Sequence, residues 1–422
     1  MEYLPRLTDS YISKKLRTKG ALLIEGPKWC GKTTSGRQFS KSVIYMDDPM
    51  RRDEYTKMVE LNIQGLLQGP TPRLLDEWQL YPRLWDAVRF EVDQRSAFGQ
   101  FILTGSAVPP DFSQIVHSGT GRIARLSMRT MSLTESKESS QQVRLGELFN
   151  GETQVKGYNP YDLTTIAQLL CRGGWPLALQ LDKEDSLDPA SDYVDAVAHS
   201  DISRVDNVER DPILAANLMR AYARHQGSQA TIGAIAADIR GAGHDISEKT
   251  ITSYLNALRS IFVIEDMAAW NPNLRSKASI RTSPTRYFTD PSIATASLRI
   301  GPQDLMRDLE TFGLIFETMC ARDLRVYAQC LDGDVFHYRD SNGLECDMVM
   351  HLRNGKYGLI EVKLGGPTLI EEGCANLLKL KERLDIPKMG TPSFLMILTA
   401  TGDYAYTRSD GIHIVPITTL TV

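Results

Sequence analysis

Residues 26 to 33, Gly26-Pro27-Lys28-Trp29-Cys30-Gly31-Lys32-Thr33, set four variable positions between a glycine and Gly-Lys-Thr. Placed between a strand and a helix, that spacing lets backbone N–H groups and the helix N-terminus face a phosphate chain. Lys32 can then reach the outer phosphates and Thr33 can hold Mg²⁺, with Thr34 beside it in the same site. Trp29 suits either stacking on a base or packing. Two further stretches complete the set. In PRLLDEW, Asp76 can join the Mg²⁺ shell and Glu77 can orient or deprotonate an attacking water. In FILTGS, the hydroxyl of Thr104 or Ser106 can sense a γ-phosphate. The paired acids point to hydrolysis beyond binding. Charge developing on a transferred phosphoryl group calls for an arginine, and Arg122, Arg125 and Arg129 are the candidates. Arg122, after the Gly119–Gly121 turn, is the best placed, and an arginine supplied in trans would make the protein a homo-oligomer.

A second constellation lies near the C-terminus, in LECDMVMHLRNGKYGLIEVKLG. Two strands alternate around Arg353 to Lys356, and their register decides whether the acids cooperate. A two-residue Asn-Gly turn puts Asp347 and Glu361 on opposite faces. A three-residue loop with Gly355 left-handed sets Asp347 facing Glu361 and Glu345 facing Lys363. It also gathers Leu344, Cys346, Met348 and Met350 on the other face with Ile360 and Val362, so the apolar pattern favours it. That register gathers the polar residues Glu345, Asp347, Glu361 and Lys363 on one face. The bland reading is a solvated strand pair joined by Glu345 and Lys363.

These residues need elements to carry them. From residue 21 to about 130, short apolar runs alternate with helical stretches, which predicts a parallel sheet with helices on both faces. Residues 138–225 read as mostly helical, with RGGWP as a break from which Pro176 begins the next helix. Residues 226–290 read as a winged helix-turn-helix: a helix, a turn through Gly241 and Gly243, a helix capped by Ser247 with Asp245 and Glu248 nearby, and a strand at 261–265. In such a unit Lys249, Thr250, Thr252 and Ser253 would meet DNA, with Lys249 and Arg259 as the helix's cations. Arg275, Lys277, Arg281 and Arg286 would supply the wing. Residues 291–422 form an α/β domain around the second constellation, and residues 1–137 the phosphate-binding domain.

Taken in order, GPKWCGKTT, LLDEWQ, FILTGSA, SGTGRIARLSMRTMSLTES, RGGWP and ECDMV…IEVK resemble the bacterial and archaeal AAA-type ATPases fused to a C-terminal domain of uncharacterised function. The resemblance implies an α/β P-loop NTPase that binds and hydrolyses ATP through Gly26 to Thr33, Asp76, Glu77 and Thr104 to Ser106. The second constellation resembles a PD-(D/E)XK nuclease core, and that resemblance implies Asp347 and Glu361 as ligands of Mg²⁺, Lys363 positioning the water or steadying charge at phosphorus, and Glu317 adding an acid from the preceding helix. Where the family usually carries a lysine after Ser-Pro, Ser283-Pro284 is followed by Thr285-Arg286. The implied activity is ATP-driven action on nucleic acid, DNA before RNA, with or without metal-dependent cleavage. The alternative is an ATP-dependent switch that recruits a partner without cutting.

The 422 residues are too many for one core, and a net charge of −4 gives no global attraction to polyanions, so a nucleic-acid surface must be a local patch. Six scattered cysteines, without zinc-ligand spacing, suit a reducing cytoplasm. No apolar run is long enough to span a membrane, and the charged N-terminal stretch does not read as a signal peptide.

Overall fold

The structure is a computed structural model and describes residues 3–109, 115–206, 208–241, 243, 246–271 and 283–422. The chain divides into two compact units, one of Met1–Thr130, Val197–Pro212 and Ser253–Val263, the other of Met131–Ala196, Ile213–Thr252 and Ile264–Val422.

The first unit is built on a five-stranded parallel sheet ordered β2-β3-β4-β1-β5. Its strands are β1 (Ala21–Glu25), β2 (Ser42–Tyr45), β3 (Arg73–Asp76), β4 (Phe101–Gly105) and β5 (Ile123–Ser127). Their near-continuous apolar sequences fit a sheet covered on both faces. In β1, Ala21 and Leu23 join a core with Trp85 and Val88 of the helix Leu84–Arg95, while Leu22 and Ile24 join a second core with Ile12 and Met128. This is the α/β P-loop architecture that the alternation of strand and helix predicts.

The second unit carries a seven-stranded mixed sheet ordered β7-β12-β13-β11-β10-β9-β8. Its strands are β7 (Gly157–Tyr158), β8 (Gly333–Arg339), β9 (Glu345–Leu352), β10 (Tyr357–Lys363), β11 (Phe394–Thr399), β12 (Tyr404–Thr407) and β13 (His413–Pro416). A two-stranded parallel pair joins β6 (Val143–Arg144) to β14 (Leu420–Thr421). Segments near 143 and 157 therefore pair with the last strands of the chain, a long-range union invisible to local periodicity.

RGGWP behaves differently from the expectation. The helix Leu163–Arg172 ends at Gly173, and beyond Pro176 the chain makes only a one-turn 3₁₀ helix, Ala178–Gln180, with no α-helix begun at the proline. The motif is a packing junction. The backbone N–H of Gly174 donates to Asp290 Oδ2 at 3.0 Å, and Trp175 Nε1 donates to Ser292 Oγ at 2.8 Å. Asp290 is buried and paired with Arg322 at 3.1 Å, and Arg322 also holds Asp323 at 2.7 Å.

The helices Ile232–Gly241 and Glu248–Ser260 both form, and Ser247 Oγ accepts from the Thr250 N–H at 3.1 Å as a helix cap should. Instead of a strand at 261–265, isolated antiparallel bridges join Ile264 to Phe288 and Met267 to Thr285. Asp245, Arg275, Lys277 and Arg281 lie outside the described residues.

Candidate functional site

Because β4 lies between β3 and β1, the carboxyl ends of these strands bring the phosphate loop, the acidic pair and the Thr104–Ser106 turn side by side. The loop leaves β1 and enters the helix Lys32–Gln38, so its geometry is strand, turn, helix as the spacing required. Gly26 is obligatory: a Cβ there would stand 2.0 Å from the Met128 carbonyl oxygen, backbone against backbone. Cys30 is buried and its thiol donates to the same carbonyl at 3.4 Å, so Cys30 anchors the loop's underside. Lys32 is buried and its ammonium donates to the Pro27 carbonyl at 2.7 Å, folding the cation over the loop.

At the loop's tip, Trp29 is 51% exposed and has φ +64°. Left-handed backbone is costly for a bulky side chain, and such strain gathers where loops hold ligands. Lys28 reaches Asp201 at 2.6 Å, a contact across 173 residues that no local motif announces.

The acids are held by hydroxyls. Asp76 Oδ1 accepts from Thr33 Oγ1 at 2.8 Å and from Thr104 Oγ1. Burial pushes its carboxyl above the usual range, partly offset by those two donors. Ser106 Oγ donates to Glu77 Oε2 at 2.7 Å, and Gln79 Nε2 donates to the same oxygen. In this structure the hydroxyls of Thr104 and Ser106 thus support the acids directly. Thr33 and Asp76 present adjacent hard oxygens, a donor set that suits Mg²⁺ shared with phosphates and water.

Arg122 is elsewhere. Pairing of β1 with β5 sets Ala21 beside Ile123 and Glu25 beside Ser127, so Arg122 stands at the end of the sheet opposite the loop. There it pairs with Asp93 at 2.8 Å and cannot serve the site of its own chain. Arg125 pairs with Glu25 at 3.2 Å and lies over the Trp85 ring. Arg129, beyond the carboxyl end of β5 and next to Met128, is the one that the chain brings beside the loop.

The second constellation is assembled by a hairpin and a bulge. Ile360 pairs with Met348 and Leu359 with Val349, the three-residue-loop register, with Gly355 at φ +88°. Continuing it sets Asp347 opposite Glu361. On the other edge of β9, Phe336 pairs with Val349 but Tyr338 with Cys346, so β9 carries one extra residue at Asp347 and Met348. The bulge overturns the simple alternation: Leu344 and Cys346 share a core with Val349 and Leu359.

Lys363 Nζ lies 2.8 Å from Glu361 Oε2 and 3.5 Å from Asp347 Oδ2. Glu345 pairs instead with Arg339 at 3.4 Å, so the expected bridge between Glu345 and Lys363 does not form. Asp347 Oδ2 also accepts from the Val362 N–H at 2.8 Å, and Glu361 Oε1 accepts from Asn376 Nδ2 at 2.7 Å. Glu317 accepts from the Tyr287 hydroxyl, and burial followed by the charge of Asp347 drives its carboxyl well upward. Among the described residues, no three His, Cys, Asp or Glu side chains are placed to hold a metal ion. Lys363 thus stands against both Asp347 and Glu361, and Glu317 lies within reach of their charges.

On the helix Glu248–Ser260, Lys249, Thr252 and Ser253 are exposed, while Thr252 Oγ1 donates to the Glu248 carbonyl and Arg259 to Asn256 Oδ1. Arg286 is buried and paired with Asp266 at 2.9 Å, which withdraws it from any wing surface.

Comparisons with known proteins are specific at one end of the chain. Residues 18–137 match the family described as AAA domain. That segment carries the strands β1 to β5 and the loop Gly26 to Thr33. Residues 163–304 and 312–420 match two families described as domains of unknown function, DUF8612 and DUF4143. The chain is 23% identical over 376 residues to "Uncharacterized protein Rv2008c" of Mycobacterium tuberculosis, covering 88% of this chain and 76% of that one. "Uncharacterized protein Mb2031c" of Mycobacterium bovis matches with the same figures. A Walker-type ATPase of Pyrococcus abyssi overlays with a TM-score of 0.44 at 14% identity, covering 71% of this chain and 96% of that one, a likeness that carries no weight for function. No helix among the described residues is long and apolar enough to cross a membrane.

Gln79, Asp201, Tyr287 and Asn376 escape the sequence reading. Gln79 carries a local signal, an amide two residues after Glu77 within LLDEWQ; the other three reach their partners only through the fold.

Proposed function

We propose that the protein binds and hydrolyses ATP at the loop Gly26 to Thr33. One observation carries this reading: Thr33 and Asp76, 43 residues apart, meet at 2.8 Å beside Lys32 and Glu77. Lys32 would hold the outer phosphates and Glu77 would take up the attacking water. Thr33 and Asp76 would hold Mg²⁺, which when bound neutralises charge across the β- and γ-phosphates. The test is ATP binding and turnover by the full chain, wild type beside Lys32→Ala and Glu77→Gln. Lys32→Ala is expected to lose both. Glu77→Gln should keep binding while turnover falls about 100-fold or more. Equal turnover in all three proteins would sink the reading.

Nucleic acid is the proposed object of this cycle, DNA before RNA. The capped helix Glu248–Ser260, with Lys249, Thr252 and Ser253 exposed near its start, supports it. For the C-terminal carboxylates the geometry favours the non-cleaving alternative. Lys363 sits on both Glu361 and Asp347, and among the described residues no three-ligand group is assembled around them. The protein then acts as an ATP-dependent switch or recruitment factor whose C-terminal unit binds without cutting.

A further inference from the structure

Gln79 belongs to a one-turn 3₁₀ helix, Trp78–Leu80, that begins directly after Glu77. It is 7% exposed, unusual for a glutamine beside an acid. Its Nε2 donates to the Glu77 carboxylate and lies 3.5 Å from Ser106 Oγ. Those partners dictate the amide's orientation. Turned over, Oε1 would meet a carboxylate oxygen, two acceptors without a proton between them. Oε1 therefore points the other way, toward the end of β4, where a Cβ on Gly105 would stand 3.0 Å from it. There it is buried and accepts from no protein donor among the described residues. Glu77 itself has φ +54°, a strained backbone for a glutamate, fixed by the turn that carries Gln79.

We propose that Gln79 is the positioning partner of Glu77: together with Ser106 Oγ, its Nε2 fixes the Glu77 carboxylate in the orientation that meets the attacking water. One water O–H then points to Glu77, which leaves an oxygen lone pair for the γ-phosphorus. In the step itself, the water oxygen bonds to the γ-phosphorus as the bond from phosphorus to the β,γ-bridging oxygen breaks. That oxygen and its electron pair stay with ADP, one water proton passes to Glu77, and the other remains on the phosphate.

This inference rests on the hydrolysis reading, and the experiment separates the two. Full-length wild type, Gln79→Met and Gln79→Asn are compared for kcat and KM with Mg·ATP, for binding of a fluorescent ATP analogue, and for melting temperature. Methionine preserves the packing volume and removes both polar ends; asparagine keeps the amide but withdraws it by one methylene. The expected result is a kcat lower by about 10- to 100-fold in both variants, with KM within about threefold of wild type and melting temperature unchanged. Wild-type kcat in either variant overturns the role of Gln79 and leaves hydrolysis standing. A rise in KM with a lowered melting temperature and unchanged kcat also overturns it, since packing alone would explain that pattern. A wild type that binds the analogue yet turns over no ATP overturns hydrolysis, and the role of Gln79 with it.

Discussion

Glu361 is 3% exposed, and burial together with the charge of Asp347 pushes its carboxyl up to about 8 despite the neighbouring Lys363. Lys363 is held well above its ordinary value by Asp347 and Glu361, against the opposing effect of burial. The lysine therefore stays charged, and the shortage of solvation falls on Glu361. An unfolded glutamate titrates near about 4.3, so between there and about 8 the native state binds more protons than the unfolded chain. The contribution of Glu361 to stability thus declines as pH rises through that window and levels off above it. In Glu361→Gln this decline should be shallower, read as urea midpoints against pH from about 5 to about 8.5. Identical slopes for the two proteins would exclude Glu361 as the source.

Elements, in turn, are locked by close approaches. At Gly174 a Cβ would stand 2.1 Å from the Met131 carbonyl oxygen, and the glycine's own N–H already serves Asp290. Gly174→Ala must push apart two backbone segments around the buried Arg322–Asp290 pair. Overpacking of this kind costs about 1–3 kcal/mol, and separating a buried ion pair adds to it. A clear fall in melting temperature is expected, whereas Gly151→Ala, where a Cβ meets nothing within 4 Å but φ is +98°, should show only the cost of its backbone. If Gly174→Ala melted no lower than Gly151→Ala, the junction reading of RGGWP would be wrong. The bulge in β9 is the other element-scale device. Beyond it Glu345 pairs with Arg339 and not with Lys363, while Asp347 accepts from the Val362 N–H and approaches Lys363.

For the whole molecule, the proposed switch predicts binding without scission. The full chain should retain DNA intact in the presence of Mg²⁺ or Mn²⁺, across single-stranded, double-stranded and branched forms, and RNA likewise. DNA affinity should change on adding ATP in wild type and stay constant in Lys32→Ala, and Asp347→Ala should bind as wild type does. The affinity should fall only shallowly with salt, since the slope scales with the number of phosphates neutralised and Lys249 and Arg259 are the cations of the helix Glu248–Ser260. Cleavage that disappears in Asp347→Ala and Lys363→Ala would instead establish the nuclease alternative and show that Lys363 yields its place in the working state.

Local order carries the part of this protein that the sequence determined by itself. The parallel sheet, the loop Gly26 to Thr33, the acids ending β3 and the hairpin register at Gly355 are all written within short windows, because apolar period, turn chemistry and loop spacing act over a few residues. Tertiary structure alone decided the rest. Strand order put Thr104 against Asp76 and Ser106 against Glu77, and it sent Arg122 to the far end of the sheet. Beyond the one-residue bulge in β9, Glu345 went to Arg339 and not to Lys363. Long-range packing buried Arg286 on Asp266 and delivered Asp201 to Lys28. The physical reason is common to these cases: a side chain's partner is set by which strands lie adjacent and by how a ladder slips, and neither is encoded in the spacing around the residue itself.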